Sequence, residues 1–295
     1  MFKQMLAVAL VSAVFQSTAF AADFFGQQKS IIENRLGEVS SSISAKKTKS
    51  FTDYSSPAVF ANFREIRTTG MRPNTIYRSS NPLDIHANEG RHVYADRLAR
   101  QVGIQTEIDL ADNDANIASY IKNSGVQKKY CYNLYQRGKV WHCKLRGNGL
   151  DSRDWENIAD AFRFMLRNDG PYLVHCRLGQ DRAGFFSMLC AALAGATVAD
   201  LREDYMETYC NYYHLKKHDY DYEIIRKFRG DKILYYIAHP EYSSDKKAIP
   251  DGITVNDIVP EEAAVKFFKE ALKFSDAEIY ALQSKLKDRS QFPLN

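Results

Sequence analysis

Pro171-Tyr172-Leu173-Val174-His175-Cys176-Arg177-Leu178-Gly179-Gln180-Asp181-Arg182 is the stretch on which the reading of this chain turns. Its first half is a short apolar run that predicts a strand over 171–176. Its second half is a polar loop with one glycine. The residues that follow, Ala183 to Ala194, are almost wholly apolar and are closed by Gly195, which predicts a helix ended by a glycine. Strand, loop and helix in this order turn backbone N–H groups and a helix N-terminus toward one point, and such a point attracts anions.

The residue types give that point a chemistry. A free thiol has a pKa of about 8.5, so at neutral pH it is mostly protonated and a poor nucleophile. Partial positive charge gathered at the strand end is expected to lower that value for Cys176, and the same concavity would receive a phosphate dianion. Arg182 can fold back over the loop and hold two phosphate oxygens with its planar fork. Gly179 permits a close backbone approach. Leu178 and Gln180 are expected to supply backbone N–H groups, and Arg177 either reaches the substrate's remaining charge or stands solvated at the rim. His175 adjoins Cys176, and adjacent strand residues point to opposite faces, so it is expected to bond inward and fix the loop.

Working outward, short runs at Thr75 to Arg78, Ile104 to Leu110 and Lys129 to Tyr135 also read as strands. Asp151 to Arg167 reads as a helix, with an apolar stripe at Trp155, Ile158, Ala159, Phe162 and Met165 and a cap at Asp151 or Ser152. The alternation predicts an α/β fold: a central mixed, mainly parallel sheet with helices on both faces and an all-helical C-terminal part. Ligands gather at the carboxyl ends of such strands.

The ends and the composition set further bounds. Lys3, an apolar stretch from Met5 to Phe15 and Ala19-Phe20-Ala21 have the order of a secretory signal peptide, so residues 1–21 are expected to be cleaved and the chain exported to a periplasm or beyond. The apolar run falls short of the roughly 20 residues that a spanning helix needs, so no stable membrane insertion is expected. Residues 22–55, with the polar run SSSISAKKTKS at 40–50, are expected to form a flexible arm, and residues 56–292 the folded domain. A net charge of +4 without long basic blocks argues against nucleic acid. Five cysteines, an odd number, leave at least one free thiol, and no bridge is assigned. His142-Cys143 and His175-Cys176 hold a zinc-type ligand set, yet adjacent residues on extended chain do not converge, so no metal and no cofactor is expected.

His175 to Arg182 resembles the signature loop of the protein tyrosine phosphatase superfamily. Asn62-Phe63-Arg64, Tyr77-Arg78-Ser79, Ile108-Asp109-Leu110, Asp204-Tyr205-Met206 and Ala277-Glu278-Ile279 are similar to segments of its bacterial tyrosine and dual-specificity members, over roughly residues 60 to 290. The resemblance implies the tyrosine phosphatase-like fold and phosphomonoester hydrolysis through a phosphocysteine on Cys176, with Arg182 holding phosphate. It also implies Asp181 as general acid, by analogy with relatives that carry Asp at that position. Asp151 with Asp154, and Asp112 with Asp114, remain alternative acids. Two departures stand out: Ala183 where the family has a hydroxyl, implying slow turnover, and Gln180 where it often has Lys, making highly anionic substrates less assured. The expected substrate is a phosphorylated protein or a small phosphate ester. A phosphoinositide or inositol-phosphate phosphatase of the same mechanism is the first alternative. The second is a low-activity phosphate-binding module whose thiol an oxidising compartment inactivates. The tyrosines at 205, 209, 212 and 213 follow helical spacing and are read as packing.

Overall fold

Five strands, β1 (Arg64–Glu65), β2 (Ile76–Ser80), β3 (Thr106–Asp109), β4 (Val140–His142) and β5 (Tyr172–Cys176), form one sheet in the order β1-β2-β5-β3-β4. They are seen in a computed structural model that describes residues 36–44, 46, 50–86, 89–147, 150–242, 254–288 and 290. Only β1 runs antiparallel to its neighbour. β5 lies at the centre with all five residues buried, which is why it reads as a continuous apolar run rather than an alternating one. The alternation survives in what each side chain meets. Val174 and Cys176 share one core with Ile76 and Ile108, and Leu173 joins Tyr77 in a second core on the opposite face.

Twelve helices cover the sheet among the described residues. They are α1 (residues 36–44), α2 (Pro57–Ala61), α3 (Arg91–Val102), α4 (Asp114–Tyr120), α5 (Tyr130–Gln136), α6 (Trp155–Arg167), α7 (Asp181–Ala194), α8 (Val198–Tyr213), α9 (Tyr220–Ile225), α10 (Lys232–Ala238), α11 (Pro260–Glu270) and α12 (Asp276–Leu286). A π-helical stretch, Arg226–Asp231, joins α9 to α10. α3 and α5 pack on the Leu173 face through Ala95, Ala99, Cys131 and Leu134. The remaining large helices fill the other face, so the fold is α/β with helices on both sides, and among the described residues no strand of the sheet follows β5. α7 is buried at every position from Ala183 to Ala194, and Phe186 stacks on Phe162 of α6 with centroids 4.1 Å apart. Gly195 ends it in the left-handed region at φ 103°.

Two expectations are corrected. Lys129 to Tyr135 is not a strand. Its buried pair, Cys131 and Leu134, is three residues apart and faces α3, so the true period is helical; the tyrosines that suggested a strand only reflect fit to a half-buried surface. Residues 36–44, within the segment read as an arm, form α1. Val39 and Ile43, four apart, are 6% and 3% exposed in the main core while Ser41 and Ser42 face solvent, so a sparse apolar pair suffices to dock a helix that composition alone calls disordered. A smaller difference concerns the cap of α6. Asp151 caps a single turn at Ser152–Asp154 that precedes Trp155, and α6 itself has no side-chain cap bond. The segment read as a signal peptide lies outside the described residues.

Docking of α1 makes a measurable demand. Ile43→Ala is expected to lower the unfolding free energy in urea by about 2–4 kcal/mol, whereas Ser41→Ala changes it by less than about 0.5 kcal/mol. Equal, negligible effects would return residues 36–44 to a solvated arm.

Candidate active site

The loop between β5 and α7 is held by its carbonyls. Arg177 O accepts from the Asn81 amide at 3.3 Å. Leu178 O accepts from Tyr212 Oη at 2.9 Å and Asn62 Nδ2 at 3.2 Å. Gly179 O accepts from Arg78 Nε at 2.7 Å and Asn62 Nδ2 at 3.2 Å. Gln180 O accepts from Arg78 Nη2 at 2.6 Å and the Gly184 amide at 2.9 Å. In a trans peptide each carbonyl opposes the N–H of the next residue. Four carbonyls pinned to the outside therefore turn the amides of Leu178, Gly179, Gln180 and Asp181 to the inside, where Cys176 ends the strand. Gly179 makes the curl at φ +69°, and a Cβ there would lie 2.2 Å from Ser79 O, so no larger residue fits without displacing β2.

The clamps trace to sequence-distant residues. Arg78 is 0% exposed, and its Nη1 pairs with Asp204 Oδ2 at 2.8 Å. Arg64 meets the other oxygen of Asp204 at 3.1 Å and donates to Asn62 Oδ1 at 2.7 Å. Burial alone would push the Asp204 carboxyl up, but the charges and hydrogen bonds of Arg64 and Arg78 outweigh it and hold the carboxyl below its ordinary value. Asn62, in the left-handed region at φ 51°, turns the chain after α2 and delivers its amide to the loop. The sequence pattern named these segments without assigning them work.

Cys176 is 4% exposed at the strand end. Arg182, in the first turn of α7, donates from Nη1 to Leu110 O at 2.9 Å and, more weakly, toward Leu145 O at 3.5 Å. Its Nε and Nη2 meet no protein acceptor among the described residues, so one edge of the fork is anchored and the other is available to a ligand. Arg177 is exposed, Leu178 is half-buried and Gln180 is buried with its Oε1 accepting from Tyr213 at 3.1 Å.

His175 points to the opposite face, as alternation requires. Its Nε2 meets Glu107 Oε1 at 2.8 Å and its Nδ1 lies 3.7 Å from Asp109 Oδ1, all three residues being buried. Burial disfavours the imidazolium, but the charges of Asp109 and Glu107 overcome it and raise the pKa to about 9. Asp112, close by, is pushed up to about 7 by burial first and by Asp109 second.

The alternative acids separate by environment. Asp181, the first residue of α7, is partly exposed and accepts from Tyr205 Oη at 3.2 Å, with Arg229 Nη1 3.9 Å away. Asp154 is buried against Arg146, and Asp151 is buried against Arg153 while capping the turn before α6. Asp112 is buried between Asn81 Nδ2 at 2.7 Å and Tyr120 Oη at 3.0 Å. Asp114 stands in solvent with its Oδ1 2.7 Å from His142 Nε2. Among the described residues no group of three or more His, Cys, Asp or Glu could hold a metal ion, and the five cysteines carry free thiols. The tyrosines of α8 are buried in the core as their spacing predicts, and their hydroxyls add contacts of their own. The hydroxyls of Tyr205, Tyr212 and Tyr213 reach Asp181, Leu178 O and Gln180 Oε1, and spacing alone could not show where the polar ends go.

A family profile described as "Tyrosine phosphatase family" matches residues 59–288. No curated protein gives a significant match. Among solved structures, the core catalytic domain of the PP-IP phosphatase SIW14 from S. cerevisiae, in complex with citrate, is similar over 61% of this chain and 92% of its own, at 17% identity and a TM-score of 0.33.

The pair behind the loop fixes the pH dependence of stability. His175 keeps its proton to about 9 in the folded chain against an ordinary 6.5, so its contribution is complete below 6.5 and is lost as pH rises through 9. The melting temperature is expected to fall across that window, and to fall less steeply in Glu107→Gln. Parallel curves for the two proteins would show that the pair is not charged.

Proposed function

Because this chain belongs to the tyrosine phosphatase family, we propose that its phosphomonoesterase activity runs on Cys176 as nucleophile, with Arg182 and the loop amides binding phosphate and Asp181 as the acid. The observation that supports this reading is that the carbonyls of residues 177–180 are all taken by hydrogen bonds from Asn81, Asn62, Tyr212, Arg78 and Gly184, which on this reading leaves the N–H groups of residues 178–181 for an anion in front of Cys176. Partial positive charge gathered there favours both a thiolate and a phosphate dianion.

In the first step the thiolate attacks phosphorus in line. A P–S bond forms, the bond to the leaving oxygen breaks, and that oxygen takes a proton from Asp181. In the second, water attacks the phosphocysteine, gives its proton to the Asp181 carboxylate, and releases phosphate and the thiolate. Arg182 follows the equatorial oxygens through both steps with its Nε and Nη2 edge. Asp181 is favoured over the other acids because it opens α7 next to Arg182 and is partly exposed, whereas Asp112, Asp151 and Asp154 are buried in their own hydrogen bonds and Asp114 is turned to His142. We read the substrate as a phosphorylated protein or small phosphate ester. We read the enzyme as exported, on the charge, apolar and small-residue order of residues 1–21.

Phosphate release measured on p-nitrophenyl phosphate, phosphotyrosine peptides, phosphoinositides and inositol phosphates tests the nucleophile. Residues 22–295 are expected to be active, with Cys176→Ser slower by on the order of a thousandfold or more. If both proteins are inert on the whole panel, what remains is a phosphate-binding module.

The acid is tested by leaving group. Asp181→Asn is expected to slow alkyl phosphates by roughly 100-fold or more while largely sparing p-nitrophenyl phosphate, whose leaving oxygen needs little protonation. An equal loss on both removes Asp181 from that role.

A further inference from the structure

We propose that Ser80 is a catalytic residue whose hydroxyl donates a hydrogen bond to the Cys176 sulfur whenever that sulfur bears negative charge, first as nucleophile and then as the group leaving phosphorus. The inference rests on the phosphocysteine reading above, but its own support is structural.

Ser80 ends β2, and in the parallel pairing of β2 with β5 its Cα partner is Cys176. Partnered residues on neighbouring strands point to the same face, and the strands are about 4.8 Å apart. The core confirms the face: Ile76, Val174 and Cys176 share one cluster, while Tyr77 and Leu173 belong to the other. Ser80 therefore stands beside the sulfur, at the carboxyl edge of the sheet.

Ser80 is 0% exposed, and its Oγ makes no hydrogen bond among the described residues. The neighbouring hydroxyls are already spent. Ser79 Oγ donates to Ser80 O at 2.7 Å, and Tyr212 Oη, which donates to Leu178 O at 2.9 Å, lies near enough to feel the Ser80 hydroxyl. An orphaned hydroxyl in the interior is costly and is kept where a partner exists in some state of the molecule. α7 provides no substitute close to the sulfur. Ala183 follows Arg182 without a hydroxyl, and Ser187 lies a full turn further along.

The chemistry needs such a donor twice. A hydrogen bond to the charged form lowers the pKa of a thiol. When water adds to phosphorus, the P–S bond breaks and its electron pair stays on sulfur. Ser80 keeps its proton throughout and shares it with the departing thiolate, while the proton of water goes to Asp181. No bond fixes the Ser80 rotamer, so the hydroxyl is free to turn among its staggered positions as charge develops.

The test compares wild type, Ser80→Ala, Ser80→Thr and Ser80→Ala with Ala183→Ser. Stopped-flow p-nitrophenyl phosphate turnover separates formation of the intermediate from its hydrolysis. Iodoacetamide labelling against pH, with Cys176 followed by mass spectrometry, gives the thiol titration. Ser80→Ala is expected to lower kcat about tenfold through the second step, enlarge the burst, and move the Cys176 titration to higher pH. Ser80→Thr, which keeps the hydroxyl, and the Ala183→Ser addition are each expected to restore most of both. The proposal is overturned if Ser80→Ala stays within about twofold of wild type in both readouts, or if neither restoring change has effect. Should Ser80→Ala prove unstable by circular dichroism, wild-type-like turnover by Ser80→Gly overturns it equally. An active Cys176→Ser would instead sink the phosphocysteine reading, a different result from any of these.

Discussion

One buried guanidinium sets the shape of the loop. Arg78 spends Nε on Gly179 O, Nη2 on Gln180 O and Nη1 on Asp204, so all three of its nitrogens are committed with no exposure to water. A charge so placed is costly to desolvate, and removing one partner of a buried pair typically costs about 3–5 kcal/mol. The arrangement is tolerable because Asp204 is shared with Arg64, and because two carbonyl dipoles absorb the positive charge that one carboxylate, divided between two guanidiniums, leaves over. Charge is thus used to orient neutral peptide groups. Two carbonyls turned toward Arg78 turn the N–H groups of Gln180 and Asp181 the other way.

That geometry has a steric condition. The chain must pass so close to Ser79 O that only a hydrogen fits at the α-carbon of residue 179, and it must do so at positive φ. Gly179 meets both demands, and Asn62, itself in the left-handed region, closes the outer side of the same turn. The loop is therefore fixed from β2, from the end of α2 and from α8 at once. This allows its amides to remain oriented before any anion arrives.

Much of this was legible in the residues. An apolar run of strand length, followed by a polar loop with one glycine and an apolar helix, gives β5, the loop and α7 directly, because a central strand and a buried helix leave no room for polar residues. The alternation of His175 and Cys176 also predicts their opposite faces, and the Glu107 and Asp109 partners confirm it. What could not be read was long-range partnership. Asn62, Arg78 and Asp204 stand out in the sequence only as members of a pattern, since Asn62 and Arg78 meet loop backbone more than 100 residues away and Asp204 holds Arg78 from 126 residues away. The polar ends of Tyr205, Tyr212 and Tyr213 were hidden for the same reason: helical spacing reports which side of a helix is buried, not what its hydroxyls touch. α5 was misread because aromatic residues favour a strand until burial, rather than propensity, decides the period.

The distribution of braces explains why the family match extends so far on either side of the loop. Loop contacts come from Asn62 and Arg78 before it and from Tyr205, Tyr212 and Tyr213 after it. Tyr212 is in turn packed against the guanidinium of Arg91, 4.4 Å from its ring centroid, and that guanidinium also lies over Tyr54 and Phe60 and hydrogen-bonds the Tyr54 hydroxyl at 2.9 Å. Tyr54 and Phe60 are thereby joined to the loop through Arg91 and Tyr212, alongside the direct bonds of Asn62. Desolvated cation–aromatic contacts of this kind are each worth about 2 kcal/mol, so the linkage is rigid on the scale of the loop's own hydrogen bonds. A loop held mainly through its backbone carbonyls has few side chains of its own with which to enforce its shape. It borrows rigidity from every layer around it, and a domain built this way keeps its helices on both sides of the loop because the loop cannot hold itself.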